Sequence, residues 1–227
     1  AYVAGVWVED SVPLLQRMSI DRADTGLVVR HVDDSLRTRA VVKDLDVSNS
    51  MYRGVLIDKE NRTNYTNYES ADITGLTVTG TGGPGAKTPN IAEAAVEINA
   101  TGAWLEDVLI DGCTNVGLRM YFTDASTTVR NMTVKDAGDA GAGAGAHASG
   151  VAVRSSYFAP TFDGLSVTGS PGSGVHASGG GSMQGHTWNL SGNTEYGLRV
   201  DMAEVIVDGV LLEGLSLIHI SEPTRLV

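Results

Sequence analysis

The chain has 227 residues with 16 basic against 27 acidic side chains, a net charge of -11, 28 glycines and one cysteine. That balance excludes nucleic-acid binding by bulk electrostatics, which needs Lys and Arg clustered on phosphates, and the lone cysteine excludes an intramolecular disulfide framework. No stretch approaches the roughly 18 uninterrupted apolar residues of a membrane-spanning helix, so no membrane span is expected.

From the first residues onward a glycine is followed by an apolar residue, any residue, and another apolar residue. The pattern reads Gly5-Val6-Trp7-Val8, Gly26-Leu27-Val28-Val29, Gly54-Val55-Leu56-Ile57, Ala95-Val96-Glu97-Ile98, Gly117-Leu118-Arg119-Met120, Gly150-Val151-Ala152-Val153, Gly174-Val175-His176-Ala177 and Gly197-Leu198-Arg199-Val200. Each is followed by a second apolar pair: Met18 and Ile20, Leu45 and Val47, Leu76 and Val78, Val108 and Ile110, Met132 and Val134, Leu165 and Val167, Trp188 and Leu190, Val210 and Leu212. Self-similarity at this spacing marks a solenoid.

Alternation with period two sends both apolar residues of a pair to one face and the residue between them to the other. A further apolar side chain precedes each second pair by three residues: Leu15, Val42, Ile73, Leu105, Val129, Phe162 and Val207, with Gly185 the exception. Between them stand Arg17, Asp44, Gly75, Asp107, Asn131, Gly164, Thr187 and Gly209, mostly turn formers, and the coil is expected to bend there. A corner of constant length follows, as in Ser48 to Arg53 and Ser191 to Tyr196. The glycine at its end is expected to relieve a position that tolerates no side chain. Three short strands and three corners per coil fit this pattern, and the extended pieces are too short for the helices of a leucine-rich repeat.

Over about residues 4 to 212 the repeat resembles the right-handed parallel β-helix of the pectate-lyase-like superfamily. The resemblance implies an all-β, single-stranded solenoid of about eight coils, which at ~4.8 Å per coil makes a rod on the order of 38 Å long.

Three stretches break the pattern, residues 58–72, 79–94 and 135–149. The last two leave from one corner on either side of the short Asp111 turn, a placing that would wall a groove. Their Gly and Ala runs favour pliant excursions instead. In the first stretch, Asn64, Tyr65 and Tyr68 offer amides and rings, the chemistry of sugar or protein contact.

The middle residues of the glycine strands should line up as one outward file: Trp7, Val28, Leu56, Glu97, Arg119, Ala152, His176 and Arg199. In the superfamily this chain resembles, polysaccharide cleavage rests on acidic and basic side chains of an exposed sheet, which makes Glu97, Arg119, His176 and Arg199 the catalytic candidates. The competing expectation is a solvated face whose opposite charges pair across strands. Only Asp33-Asp34 and Gly185-His186-Thr187 approach the paired aspartates and Gly-His-Gly of the polygalacturonase-like branch, and the arrangement differs. Asp107, Asp111, Asp124, Asp136 and Asp139 are scattered over turns, so neither a metal site nor a cofactor is expected, with calcium entering only under a lyase reading. His31, His147 and His186 stand alone without ligand spacing and are expected at the surface or in turns, and Cys113 reads as a small space-filler. Of the sequons at Asn61, Asn64, Asn99, Asn131 and Asn189, the first two are the better glycan acceptors.

Residues Leu215 to Arg225 resemble the in-frame translation of a transposase-type sequencing-library adapter. The tail 215–227 is therefore set apart from a β-helix domain at 1–214, expected to be an internal fragment with both natural ends missing, and His219 is given no functional weight. The function expected is a non-catalytic structural or binding segment of an exported, cell-surface β-helix, contacting a polysaccharide, a surface glycan or a protein partner. The alternative is a polysaccharide lyase or glycoside hydrolase.

Overall fold

The computed structural model describes residues 3–32, 39–59, 69–82, 93–122, 127–138, 149–154, 159–180, 182–214, 217–221 and 225–226. Among these there is no helix, and all strand pairs are parallel in two nine-stranded sheets. Numbered in chain order, the glycine strands form the first sheet: β1 (Ala4–Glu9), β3 (Thr25–His31), β5 (Arg53–Lys59), β7 (Ala94–Asn99), β9 (Val116–Tyr121), β11 (Val151–Arg154), β13 (Ser173–Ser178), β15 (Tyr196–Asp201) and β17 (Leu217–Ser221). The second apolar pairs form the other sheet: β2 (Leu14–Asp21), β4 (Ala40–Ser48), β6 (Glu69–Thr79), β8 (Gly102–Asp111), β10 (Thr128–Lys135), β12 (Thr161–Thr168), β14 (Ser182–Asn189), β16 (Glu204–Leu211) and β18 (Arg225–Leu226). Each strand pairs with the one two places on in the chain, so each rung of the solenoid lies over the previous one.

The repeat's apolar positions become continuous columns. Val6, Leu27, Val55, Val96, Leu118, Val151, Val175 and Leu198 are register partners in succession, and from Leu27 to Leu198 none shows any exposure. The facing sheet contributes Leu45, Leu76, Val108, Met132, Leu165 and Trp188, each at most 2% exposed. The glycines that open the first-sheet strands serve this packing. A Cβ on Gly54 would sit 2.4 Å from a Val78 methyl carbon and 2.8 Å from the Ala95 carbonyl oxygen, and one on Gly26 would meet Val47 at 2.4 Å. Close approach, with no left-handed backbone, therefore requires them.

Left-handed residues make the corners. The bend expected inside each second segment is a column of positive φ: Arg17, Asp44, Gly75, Asp107, Asn131, Gly164, Thr187 and Gly209. A second such column, Arg22, Asn49, Gly80, Gly112, Asp136, Gly169, Gly192 and Gly214, turns the chain after the second-sheet strands. Among the described residues each coil carries two strands, not the expected three. The ladder steps over the bend, pairing Gln16 with Lys43 and then Met18 with Leu45, so the two expected short segments merge into one kinked strand.

Gly185, the gap in the apolar register, is filled from the next turn of its own strand. The Trp188 indole stands over it, donating Nε1–H to the Phe162 carbonyl at 3.3 Å and meeting the Phe162 ring edge-on at 6.1 Å. Cys113 is buried in the core, whereas His31, expected at the surface or in a turn, is 1% exposed at the end of β3 with its Nδ1 3.2 Å from Asp10. Residues 217–221 and 225–226 of the tail form the last strand of each sheet. No helix of the described residues is long and apolar enough to cross a membrane.

Candidate functional site

The outward file of the first sheet is in register rung by rung: Trp7 beside Val28, then Leu56, Glu97, Arg119, Ala152, His176, Arg199 and His219. Two centres of charge form along it, with Ala152 between them.

At the first centre, Glu97 on β7 is pinned from both sides. Arg53 Nε donates to its Oε2 at 2.7 Å, and an Arg119 terminal nitrogen lies 2.8 Å from the same oxygen. A second acid, Glu93, lies 4.0 Å from Arg53 and is 7% exposed, against 6% for Glu97. Burial pushes the Glu93 carboxyl above the ordinary carboxylate range, against the pull of Arg53. Two acids and two guanidinium groups thus share one desolvated patch. Both contacts fall on Oε2 of Glu97, which ties the carboxylate to the two guanidinium groups as their counter-ion. Arg119 Nε is buried without a hydrogen-bond partner.

The second centre joins His176 on β13 to β15. His176 Nε2 lies 2.9 Å from Asp201 Oδ2, to which Arg199 Nε also donates at 2.7 Å. His219 Nε2 stands 3.8 Å from the other Asp201 oxygen. Desolvation holds the His176 imidazole below its ordinary pKa; Asp201 works against this and Arg199 and Arg154 reinforce it. His176 Nδ1 is buried and has no hydrogen-bond partner.

Glu97 and Arg119 therefore converge, as do His176 and Arg199, but the residues that bring them together, Arg53, Glu93 and Asp201, were not among the sequence candidates. Asp201 belongs to a second outward file that sequence reading passed over: Glu9, Arg30, Asp58, Asn99, Tyr121, Arg154, Ser178 and Asp201, in register throughout. Alternation alone places that file, since each member stands two residues beyond the first file.

Near the start of the sheet the same face opens into a pocket of about 230 Å³ lined by Trp7, Val28, Leu56, Arg30, Arg53 and Asp58, among others. Trp7 is 52% exposed, gives its Nε1–H to Glu9 at 3.2 Å and carries the Arg30 guanidinium 5.8 Å from its ring centre.

Asn64, Tyr65 and Tyr68 lie outside the described residues, as do most residues of the two stretches expected to wall a groove. Of the sequons, Asn99 is 8% exposed with its amide donating to Asp58 at 2.9 Å, and Asn131 holds a left-handed bend while donating to Asp107 at 3.1 Å. No protein-family model, no curated protein and no solved structure matches the chain.

Proposed function

We propose that the chain is a binding segment of an exported, cell-surface, right-handed parallel β-helix of pectate-lyase-like architecture, and that the outward face of its first sheet receives an extended polysaccharide. The observation that carries this reading is the half-exposed Trp7 at an apolar step of Val28 and Leu56, bordered by Arg30, Arg53 and Asp58. An aromatic ring offers area to the apolar face of a sugar, and flanking planar polar groups offer directed hydrogen bonds. Beyond that step the file continues along the sheet at ~4.8 Å per rung, but Glu97 and His176 are at most 6% exposed and already paired with Arg53, Arg119 and Asp201, so the Trp7 step is where the face is open to a ligand.

Calorimetric titration with a panel of neutral and acidic oligosaccharides tests it. Trp7→Ala should weaken the best ligand by about tenfold, since stacking of this kind contributes on the order of 1 kcal/mol beyond area burial. An unchanged affinity would remove the platform from the account.

A second reading, a polysaccharide lyase or glycoside hydrolase, is favoured by one observation: the His176 imidazole is oriented by Asp201 and retains a nitrogen that no hydrogen bond occupies. New reducing ends released from polysaccharide, with or without calcium, and lost in His176→Gln would establish it over the binding reading.

A further inference from the structure

We infer that Asn189 is the N-glycosylation acceptor of the described fold, its amide nitrogen standing open on the outer face of the second sheet. The inference rests on the exported part of the reading above and adds a covalent sugar on the sheet that faces away from Trp7.

Three sequons fall on described residues: Asn99-Ala100-Thr101, Asn131-Met132-Thr133 and Asn189-Leu190-Ser191. The glycan of such a site hangs on the asparagine Nδ2, and the structure separates the three by that one atom. Asn99 is 8% exposed and its Nδ2 donates to Asp58 at 2.9 Å. Asn131 is exposed at its left-handed bend, but its Nδ2 points along the bend column to Asp107, 3.1 Å away. Asn189 holds its amide the other way round. Its Oδ1 accepts the Ser191 N–H at 3.2 Å, a contact to the backbone two residues on, and Ser191 Oγ accepts from the Glu213 N–H at 2.9 Å. Among the described residues Asn189 Nδ2 has no hydrogen-bond partner and is not buried, so it faces solvent.

In the transfer, the amide nitrogen attacks the anomeric carbon of an oligosaccharide carried on a lipid pyrophosphate. The C–N bond forms, the C–O bond to pyrophosphate breaks with its electron pair leaving on the phosphate, and one Nδ2 proton passes to a base of the transferase. A sugar ring then stands where that hydrogen was. At Asn99 and Asn131 the ring crowds a carboxylate already seated at the nitrogen. Asn189 offers room instead. Its outward file runs Ser166, Asn189 and Leu211 in register, and Leu211, one rung on at ~4.8 Å, is 48% exposed. A ring on Asn189 covers that side chain, and taking its apolar area out of water favours the glycosylated form.

The test exports the full chain behind a secretory leader from a glycosylating eukaryotic host. Each sequon is then read by mass spectrometry after the glycans are cleaved in heavy-oxygen water, which leaves a labelled aspartate wherever a glycan stood. Asn189 should be labelled in most chains, while Asn99 and Asn131 stay unlabelled. Asn189→Gln should run lighter by one glycan and bind oligosaccharide as the parent does, because Trp7 lies on the other sheet. A chain labelled at Asn61 or Asn64 but bare at Asn189, or bare at every sequon, would overturn the inference, as would equal labelling of Asn99 or Asn131. Trp7-dependent oligosaccharide binding with a bare Asn189 would keep the binding face and remove this site. A labelled Asn189 in a chain that binds no oligosaccharide would keep the site and remove the binding face.

Discussion

Thr187 adopts φ of +57° at the bend of its coil, a conformation in which a β-branched side chain crowds the backbone. Its column neighbours are Gly164 and Gly209, and the Thr187 side chain is exposed, so nothing in the packing asks for the methyl or the hydroxyl. Relief of the left-handed strain, at ~1–2 kcal/mol, exceeds the ~0.5–1 kcal/mol of backbone entropy that glycine costs. Thr187→Gly should therefore raise the urea midpoint, by the equivalent of about 0.5–1 kcal/mol; a lowered midpoint would mean that the strain is absorbed elsewhere. His176 gives a prediction of opposite kind. Its folded pKa lies below the ordinary 6.5, so as pH falls through that value the unfolded chain binds the proton first and stability declines until the folded imidazole also protonates. Glu93, raised from 4.5 by burial, acts in the other sense, because there the folded chain binds the proton first. The melting temperature should fall as pH drops from neutral through 6.5, and His176→Gln, which keeps an amide donor for Asp201, should flatten that slope. An identical slope in the variant would place the proton uptake at another group.

At the level of strands, alternation and turn chemistry were enough to locate most of what forms. The apolar pairs became the two buried faces, and the mostly Gly, Asn and Asp residues between them became the left-handed bends, because those residue types tolerate that conformation best. Arg17 and Thr187 carry no such signal; their place in the repeat alone marks them. The number of strands per coil was not legible, since a bend residue can leave the ladder without ending it. Nor were the partners of the candidate site. Arg53 and Glu93 sit at the entrances to their strands, where alternation breaks at the tightly packed Gly54 and Ala95, and only coordinates bring them to Glu97. Gly185 shows how the repeat misleads when read as a consensus. Restoring an apolar residue there would match seven other coils, yet a Cβ would lie 2.2 Å from the Phe162 carbonyl oxygen and 2.4 Å from Trp188 Nε1. Gly185→Val should destabilise by about 1–3 kcal/mol through displacement of the indole, with a shift in tryptophan fluorescence. A variant as stable as the parent would show that the indole has a second seat.

On the scale of the whole solenoid, stability is a sum over rungs and the contacts between neighbours, so the ends are its weakest parts. The first rung shows why: Val6, Leu15, Met18 and Ile20 are only partly covered, while their column partners in the next rung, Leu27, Val42, Leu45 and Val47, are at most 1% exposed. At the other end, among the described residues, β18 pairs Arg225 and Leu226 with Glu204 and Val205, and Val207, Val210 and Leu212 are partly covered. One end thus offers open strand edges over an apolar interior, and the other offers edges of the same polarity and spacing. Head-to-tail addition of a second copy continues both sheets, and because the joint is heterologous it does not close on itself. Light scattering should therefore show an average mass that climbs with concentration. Met18→Lys places a charge pointing into the interior at the open edge, a device that discourages further strand addition, and should hold the chain closer to a monomer. A parent chain that scatters as a monomer at every concentration would mean that the first rung is sealed by its own side chains.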